Sequence, residues 1–528
     1  MPTQGLATSY DEVPYPWLCY RPSHPSHLFV CATLLGLSPA PAETCRVLEL
    51  GCALGGNLLP MAASLPGASF VGIDLSPAQI ASGQQAVDAL GLRNVSLQTK
   101  DLSDVTPALG TFDYIIAHGI YSWVPPTVRD HLLRVCHENL APNGVAYVSY
   151  NTLPGWHMIL SLREMMLHHA RTATDPLAQA ALARELIAFL AEATADEDNP
   201  IEGTLMGAWR SILRVQNGDP RQQVDAALLH DELAQWNDPV YFYQFVEHAG
   251  AHGLQFLVEA DWHLSVLDNL PAAVASRILD MSTNVGEVEQ YMDYVRNRAF
   301  RRTLLCQADI KMDRTLRAAR ARRLAFTTRA HPMQQEADHP HLGSYADGDG
   351  TQYHTDDPLV AAALDELCGV APQVVPFATL VQRVAVRVGR AALSPEEQDD
   401  LALTLTLSFA RSPELVELHG WVPPIAGSLS ERPLASPWAR WAAFGNDRVA
   451  NLRHESVHLD SVAAFVLRRL DGQHTARDLT DALEQLADQD KLHLPDPAPR
   501  STQERRARIA ALVQEALEWL QASSLLLA

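Results

Sequence analysis

The stretch Arg46-Val-Leu-Glu-Leu-Gly-Cys-Ala-Leu-Gly-Gly-Asn57, followed by Phe70-Val-Gly-Ile-Asp74, decides the fold class of this chain. A short apolar run ends in a turn of small residues, and a second apolar run ends in an acid. Small residues let the chain turn tightly and let a ligand approach the backbone, while Asp74 can accept hydrogen bonds from two ribose hydroxyls. The pattern predicts a nucleotide-type site; a purely structural glycine-rich turn in a parallel sheet is the alternative.

The spacing within the loop distinguishes between cofactors. A dinucleotide site would show G-x-G-x-x-G and place a pyrophosphate on a helix N-terminus, whereas this loop reads E-x-G-x-x-x-G-G from Glu49 to Gly56. An acid at the loop suits a ligand with a positive end, such as a sulfonium that also carries an amino-acid group. The loop therefore predicts S-adenosylmethionine as the cofactor.

Short apolar runs alternate with amphipathic segments around this loop. The predicted strands span residues 47–50, 69–73, 95–99, 114–117 and 145–150, and the predicted helices span 55–65, 77–90 and 127–140. Continuous apolar strands with helices between them indicate a parallel sheet covered on both faces. We expect an α/β, Rossmann-like fold, in which a helix and strand within residues 241–259 come late in the sheet.

Polar or small residues follow the predicted strands, at the edge where a ligand is expected. They are Glu49, Gly51, Asp74, Asp101, His118 and Asn151. Asp101 can accept a hydrogen bond from an adenine amino group or cap the next helical turn, and both interpretations stay open. The aromatic segment from His118 to Pro126 lies where the methyl group would point.

The N-terminal segment from Tyr10 to Pro25 contains four prolines and four aromatic residues. The prolines exclude a helix, so the segment should be extended and held by aromatic packing. A lid over the cofactor and a structural strap along a sheet edge are both consistent with this pattern. A helix is expected from His24 to about Leu37, with Ser23 or Ser26 as its cap.

Four motifs resemble a known family: Tyr10-Asp-x-x-Pro-Tyr-Pro16 with His24-Pro25, Glu49-x-Gly-Cys-x-x-Gly-Gly-Asn57, Gly72-Ile-Asp74, and His118-Gly-x-Tyr-Ser-Trp-Val124. They are similar to motifs of the bacterial class I methyltransferases with a methyltransferase regulatory domain, a group that includes the rickettsial-type protein lysine methyltransferases. The resemblance covers about the first 310 residues well and is looser beyond them. It implies transfer from S-adenosylmethionine to lysine side chains of outer-membrane proteins.

The resemblance also implies roles for individual residues. Gly51, Gly55, Asn57 and Asp74 are carried over as cofactor contacts, and Tyr121 and Trp123 as walls of the substrate channel. The complete predicted cofactor site is Glu49, Gly51, Cys52, Ala53, Gly55, Asn57, Asp74, Leu75, Asp101 and His118, and the predicted catalytic residues are Tyr15, His118, Tyr121 and Trp123. Ala53 stands where many class I enzymes have glycine, a small departure that should leave the site open.

The residues after the fourth predicted strand indicate which kind of group accepts the methyl. A methyltransferase acting on a planar amine usually shows an Asn/Asp-Pro-Pro-Tyr box there, whereas this chain reads His118-Gly119-Ile120-Tyr121. A lysine amine must lose a proton before attack, and an apolar aromatic channel lowers the pKa of a buried ammonium while ring faces tolerate the cationic product. Tyr15, Tyr20, Tyr121, Trp123 and Trp156 are candidate walls, although a core role for any one of them is the simpler interpretation.

Composition limits the class of protein. The 528 residues carry a formal charge of −22, which argues against general nucleic-acid binding, and their number predicts several domains. The seven scattered cysteines indicate free thiols in a reducing compartment, and neither a signal peptide nor a membrane span is evident. We expect a cytoplasmic protein.

The remaining segments suggest a domain organisation. The predicted units are an N-terminal lid segment (1–40), the cofactor-binding core (41–157), a helical insertion (158–237) with breaks at Asp175-Pro176 and Asn199-Pro200, a regulatory region that completes the core (238–310), and two winged-helix-like domains (355–420 and 421–528). An independent regulatory module over 220–305 is the alternative. The C-terminal units are interpreted as substrate-docking or dimerisation surfaces.

Two clusters have competing interpretations. The possible metal ligands are His230, Asp231, Glu232, His248, His252 and His263. His248 and His252 lack the glutamate of H-E-x-x-H, so packing or surface roles are favoured and no metal is predicted. The arginine-rich stretch 296–323 is interpreted as a solvated face rather than a binding surface for an acidic partner or nucleic acid. Residues 331–357 are expected to form a linker or an exposed strand pair.

The leading hypothesis from the sequence is a protein lysine methyltransferase that acts on a protein partner, possibly as a homodimer. A small-molecule N- or O-methyltransferase and a non-catalytic regulator that binds S-adenosylmethionine are the alternatives.

Overall fold

A seven-stranded sheet forms the centre of the protein. The computed structural model describes residues 15–193, 228–333, 342–348, 350–488 and 501–528. The strands are β1 (Arg46–Leu50), β2 (Ser69–Asp74), β3 (Val95–Thr99), β4 (Phe112–Ala117), β5 (Leu140–Asn151), β6 (Leu254–Glu259) and β7 (Phe300–Gln307). Their order is β3-β2-β1-β4-β5-β7-β6, and only β7 runs antiparallel to its neighbours. This sheet confirms the predicted Rossmann-like fold.

Helices cover both faces of the sheet. They are α1 (Pro25–Leu34), α2 (Leu58–Ser64), α3 (Pro77–Leu90), α4 (Pro126–Glu138), α5 (Trp156–His169), α6 (Pro176–Ala193), α7 (Phe242–Ala251), α8 (Ala272–Met281) and α9 (Val285–Arg296). Val47 packs in one hydrophobic core with Met61 of α2, whereas its neighbour Leu48 packs in another with Leu132 of α4. Alternate residues of β1 thus enter opposite cores, as expected for a strand buried on both faces.

Two local helix predictions are wrong. The cap of α1 is His24, whose Nδ1 accepts the Ser26 N–H at 3.2 Å, because Pro25 occupies the first turn. Neither Ser23 nor Ser26 caps the helix. The helix after the glycine-rich loop begins at Leu58 rather than Gly55, because Gly55 has a left-handed backbone, with φ +82°.

The arginine-rich stretch is not a solvated face throughout. Arg301 is completely buried and donates to Glu259, Glu289 and Asp293 at 2.8–3.0 Å, while its guanidinium lies 3.9 Å from the ring centre of Phe242. Strand β7 carries these arginines into the sheet, where carboxylates from β6 and α9 meet them. The predicted solvated face is therefore wrong for this part of the stretch.

The segment after β5 is helical where the structure describes it. Helices α5 and α6 are separated at Asp175-Pro176, as predicted, and a π-helical turn at Leu228–Glu232 precedes α7. The predicted break at Asn199-Pro200 lies outside the described residues. The boundaries of a helical insertion over 158–237 stay a prediction.

The C-terminal part combines helices with small sheets. It contains α10 (Ala318–Ala321), β8 (Ala325–Thr327), β9 (His331–Pro332), β10 (Gly343–Ala346), β11 (Gln352–Thr355), α11 (Pro358–Val370), β12 (Val375–Pro376), α12 (Phe377–Arg387), α13 (Pro395–Arg411), β13 (Glu417–His419), α14 (Pro437–Ala442), β14 (Arg448–Ala450), β15 (Ser456–His458), α15 (Ser461–Leu467), α16 (Ala476–Asp488) and α17 (Thr502–Ala522). Strands β9, β10 and β11 pair as a three-stranded sheet in the order β11-β10-β9. In the described parts of the chain, we find no helix that combines the length and apolarity needed to cross a membrane.

Candidate functional site

A cavity of about 720 Å³ lies at the carboxyl edge of the sheet. Its walls include eleven predicted site residues: Tyr15, Glu49, Gly51, Cys52, Ala53, Asn57, Asp74, Leu75, Asp101, His118 and Trp123. They come from the N-terminal segment and from the ends of β1 to β4, because parallel strands present their carboxyl ends at one edge. The structure thus brings most of the predicted site together.

The glycine-rich loop is held tightly against β2. The N–H groups of Gly51 and Cys52 donate to the Ile73 carbonyl at 2.8 and 3.0 Å. Gly51 has φ +71°, and a Cβ there would lie 2.2 Å from Ile120 Cδ1. Ala53 also adopts a left-handed backbone, with φ +48°, which explains why glycine is common at this position in related loops.

Asp74 connects the loop to the following helix. One carboxylate oxygen accepts the Ala53 N–H at 2.8 Å and the other accepts the Ser76 N–H at 2.9 Å. The side chain therefore shapes the loop and also lines the cavity.

Glu49 is buried beside Asn57. Its Oε1 accepts the Asn57 Nδ2–H at 2.7 Å, whereas Oε2 is buried and has no hydrogen-bond partner among the described residues. Burial, together with the nearby charge of Asp74, raises the pKa of Glu49 to about 8, although the hydrogen bond from Asn57 opposes the shift. A buried acceptor without a partner is unfavourable, so this site suits a ligand that brings a cationic donor.

His118 is neutral in this environment. Burial lowers the pKa of its imidazole to about 3, and the positive charge of Arg302 lowers it further. The ring stacks on Tyr20 with 3.5 Å between ring centres, and Nδ1 lies 2.9 Å from the Tyr147 hydroxyl. His118 can therefore form a flat wall of the cavity but not a cationic acid.

Tyr121 and Gly55 lie outside the cavity walls, contrary to the prediction. The Tyr121 ring packs against Phe245 in the core, with 5.0 Å between ring centres, and its hydroxyl lies 2.8 Å from His248 Nδ1. The short helical turn at Tyr121–Trp123 sends these two aromatic side chains in different directions. Gly55 supports the loop turn without contributing to the wall.

The N-terminal segment covers part of the site. Tyr15, Leu18 and Tyr20 line the cavity, and a Cβ at Gly56 would lie 2.8 Å from the Leu18 backbone nitrogen. The segment therefore packs directly on the loop. Tyr10, Asp11 and Pro14 of the predicted motif lie outside the described residues.

Asp101 makes one of the two interactions predicted for it, the helix cap. Its Oδ1 accepts the Ser103 N–H at 2.8 Å, which is the helix-cap interaction. The residue also lines the cavity next to Lys100. The contact with an adenine amino group stays a prediction.

Several cavity residues are missing from the predicted site. They include Gln79, Lys100, Asp231, Glu232, Trp236 and Phe300. Asn151, expected at this edge because it follows β5, and Trp156, a candidate wall, also line the cavity. Asp231 and Glu232 come from a segment without a local motif, and only the tertiary structure places them here.

The structure also brings Asp130 close to His248 and His252, with 2.9 Å between Asp130 Oδ1 and His252 Nε2. Asp130 pairs in addition with Arg134 at 3.0 Å. These groups lie on α4 and α7, and they are not part of the cavity wall. The preference for a packing or surface role stays a prediction.

Three family models match separate parts of the chain. A methyltransferase domain matches residues 48–146, a predicted methyltransferase regulatory domain matches residues 224–307, and the C-terminal winged helix domain of PKMT matches residues 431–525. Together they cover the cofactor loop, the last two strands of the sheet and the C-terminal helices.

Two curated relatives come from Rickettsia prowazekii. Uncharacterized protein RP789 is 40% identical over 307 residues, which are 58% of this chain and 54% of that protein. Uncharacterized protein RP028 is 38% identical over 244 residues, which are 46% of this chain and 93% of that protein. The chain thus matches about half the length of the first relative and nearly all of the second.

A solved structure matches almost the whole chain. PKMT2 from Rickettsia typhi is 26% identical with a TM-score of 0.84, and the match covers 98% of this chain and 100% of that protein. The structure of PKMT2 in complex with AdoHcy matches with a TM-score of 0.83. AdoHcy is what S-adenosylmethionine becomes after it gives up its methyl group. The chain therefore belongs to the class I methyltransferases that carry a methyltransferase regulatory domain, and its cofactor is S-adenosylmethionine.

Proposed function

We propose that this methyltransferase modifies lysine side chains of protein substrates. The observation that carries the proposal is the similarity to PKMT2, which extends over 98% of the chain. The match of residues 431–525 to the PKMT winged helix domain supports it from a separate part of the sequence. The abbreviation PKMT denotes a protein lysine methyltransferase.

The cofactor site is proposed to consist of the loop from Gly51 to Asn57 with Glu49 and Asp74. Bound S-adenosylmethionine supplies a methyl group on a sulfonium. The unpartnered Oε2 of Glu49 suits the ammonium of its amino-acid end, and the Asp74 carboxylate suits the ribose hydroxyls. Leu75 and Asp101 complete the wall on the adenine side.

The acceptor site is proposed to be the aromatic part of the cavity. Tyr15, Tyr20, Trp123, Trp156 and Trp236 all line it. Such a wall excludes water and disfavours a free ammonium, which favours the neutral amine needed for attack, while the ring faces stabilise the cationic product. Positioning and desolvation would then supply most of the catalysis.

The partner is proposed to be a protein with an accessible lysine, such as an outer-membrane protein. The winged-helix-like C-terminal domains are proposed to dock this partner or a second copy of the chain.

Transfer of labelled methyl groups tests this function. The full chain would be incubated with methyl-labelled S-adenosylmethionine and fractionated cell extract, and the labelled protein would be hydrolysed in acid. We expect methyl-lysine in the hydrolysate. Asp74→Ala should abolish cofactor binding and labelling, whereas Asp88→Ala, a change at an exposed acid of α3, should preserve both. Label found only in small molecules would contradict the protein-lysine proposal.

Trp123 provides a second test of the acceptor site. Trp123→Ala removes a cavity wall but no proposed cofactor contact, so the dissociation constant for S-adenosylmethionine should stay within about twofold while turnover falls about tenfold or more, ~1.4 kcal/mol. Cofactor titration and initial rates measure the two quantities. Preserved turnover would remove Trp123 from the acceptor site.

A further inference from the structure

The cavity contains more carboxyl groups than the proposed cofactor contacts require. Its described walls carry five, from Glu49, Asp74, Asp101, Asp231 and Glu232, against one lysine, Lys100. Glu49, Asp74 and Asp101 follow β1, β2 and β3, where the cofactor is expected. Asp231 and Glu232 come instead from the turn before α7, and no role has yet been assigned to them.

This turn is attached to the wall that contains Trp123. The Trp123 indole N–H donates to the Asp231 carbonyl at 3.2 Å, and the Asn237 side-chain amide donates to the same carbonyl at 2.8 Å. The Asp238 N–H donates to the Ser122 carbonyl at 2.9 Å. The acid pair is thereby held beside the aromatic acceptor wall.

Two buried acceptor atoms in this region have no hydrogen-bond partner among the described residues. They are Glu232 Oε2 and Asn151 Oδ1. Asn151 is completely buried, and its Nδ2 donates to Asn237 Oδ1 at 3.2 Å, which leaves its oxygen available. Both residues line the cavity, so both acceptors can be satisfied by a ligand that enters it.

The electrostatics of the pair favour a cation. Burial raises the pKa of both Asp231 and Glu232, and the charge of Asp231 raises the pKa of Glu232 further. The charges of Asp231 and Glu49 both act on the Tyr20 hydroxyl, so Asp231 lies in the same electrostatic environment as Glu49. A positively charged group placed beside these carboxyls stabilises their charged forms, which burial disfavours.

We propose that Asp231, Glu232 and Asn151 form a subsite for the primary ammonium group of the acceptor. An alkylammonium has three N–H donors and no acceptor, which matches two carboxylates and an amide oxygen. A hydroxyl has a single donor, its O–H, and a carboxylate has none, so neither could satisfy all three acceptors. The inference rests on the proposed function, because it requires an amine as the acceptor.

Glu232 is assigned the proton transfer, because its Oε2 is the unpartnered carboxylate atom. The bound ammonium gives one proton to the Glu232 carboxylate, which leaves a neutral amine and a carboxylic acid. The amine nitrogen then forms a bond to the methyl carbon, the carbon–sulfur bond breaks, and its electron pair stays on sulfur. The product leaves as a methylammonium cation, and Glu232 returns its proton to solvent.

Binding of a lysine side-chain mimic tests the subsite independently of turnover. The full chain saturated with S-adenosylhomocysteine would be titrated calorimetrically with n-butylammonium chloride near neutral pH, in two buffers of different ionisation enthalpy. We expect binding with release of protons, because the cation displaces protons held by the pair. Asp231→Asn and Glu232→Gln should each weaken binding about tenfold or more and reduce the proton release.

A matched control is Glu247→Gln, the same change at an exposed position of α7, which should bind butylammonium like the unaltered chain. The dissociation constant for S-adenosylhomocysteine should be unchanged in all variants, which also shows that they fold. Unaltered butylammonium binding in Asp231→Asn and Glu232→Gln would overturn the subsite. Loss of S-adenosylhomocysteine binding in both variants would overturn it as well, because the pair would then belong to the cofactor site.

Methylation rates measured with a lysine-containing protein as acceptor distinguish this inference from the proposed function. If the unaltered chain forms methyl-lysine and Glu232→Gln retains its kcat, the assigned proton transfer is wrong while the lysine function stands. If the unaltered chain forms no methyl-lysine but butylammonium binding depends on Asp231 and Glu232, the function fails while a cation subsite stands. A lower kcat in Glu232→Gln at unchanged cofactor affinity supports both.

Discussion

Glu49 shows how one buried side chain can link cofactor recognition to pH. Burial raises the pKa of its carboxyl to about 8, so in the absence of a ligand it is mostly protonated at neutral pH. A cationic ligand stabilises the carboxylate and drives the proton off. Cofactor binding at this position should therefore be coupled to release of a proton.

We expect the affinity for S-adenosylmethionine to decrease as pH falls below about 8, by up to about tenfold per pH unit, because a protonated Glu49 must first lose its proton. Calorimetric dissociation constants between about pH 6 and about pH 9 measure this slope. Glu49→Gln should bind more weakly at high pH and show a shallower slope, which separates Glu49 from titration of the cofactor itself. Glu43→Gln, at an exposed site nearby, is the control. If the affinity for S-adenosylmethionine changes equally with pH in the unaltered chain, Glu49→Gln and Glu43→Gln, Glu49 is not the titrating group.

Strand β7 is held in the sheet by a buried cluster of oppositely charged side chains. Arg301 reaches Glu259 on β6 and both Glu289 and Asp293 on α9, and Arg298 adds a contact to Glu259 at 3.1 Å. These acids come from different elements, so the arginine holds β7, β6 and α9 together. Removing it would leave several buried carboxylates without their main cation.

Arg301→Met keeps much of the side-chain volume but removes the charge. We expect it to destabilise the protein by about 3–5 kcal/mol, because the buried acids lose their partner. Denaturant unfolding followed by circular dichroism measures this change. Arg317→Met removes an exposed arginine paired with Asp313 and should cost less than about 1 kcal/mol. Similar denaturant midpoints of unfolding for Arg301→Met and Arg317→Met would show that the ionic cluster contributes little to stability.

The N-terminal segment is a second element whose position has consequences for the site. Residues 15–20 form neither a helix nor a strand, and Leu18 contacts the loop at Gly56. The residues that line the cavity are Tyr15, Pro16, Leu18 and Tyr20. The lid and the strap along a sheet edge both stay predictions. Trp17 packs between Trp438 and Trp441, with ring centres 5.6 and 5.4 Å away, so the segment also joins the core to the C-terminal domain.

One contact joins the C-terminal domain to the loop from Gly51 to Asn57 and so connects distant parts of the molecule. Asn57 Nδ2 donates to Glu49, so its Oδ1 is an acceptor, and His454 Nε2–H donates to it at 2.8 Å. His454 is buried, and burial lowers the pKa of its imidazole to about 3, so it stays neutral. His454 thus helps to orient Asn57, which in turn orients Glu49.

His454→Ala should weaken binding of S-adenosylmethionine about five- to thirtyfold, because loss of a buried hydrogen bond costs about 1–2 kcal/mol. Among the described residues, the Asn57 amide would then be held only by Glu49, Ser23 and the Tyr20 N–H. Cofactor titration measures the effect. His458→Ala removes an exposed histidine of the same domain and should leave the dissociation constant unchanged. An unaltered affinity in His454→Ala would show that the C-terminal domain does not position the loop.

The sequence alone predicted the sheet and most of the cofactor loop, because both depend on local rules. Apolar runs of strand length, helical periodicity and a turn of small residues can be seen within a few neighbouring positions. Residues at consecutive strand ends line one cavity, as expected, since parallel strands bring those ends to one edge.

The tertiary structure alone decided the features that depend on distant partners. The direction of Tyr121 is set by the core around Phe245, and the burial of Arg301 is set by acids on β6 and α9. Asp231, Glu232 and His454 reach the cavity region from segments with no local motif. Such contacts are governed by long-range packing and by desolvation of charge, and neither leaves a pattern in neighbouring residues.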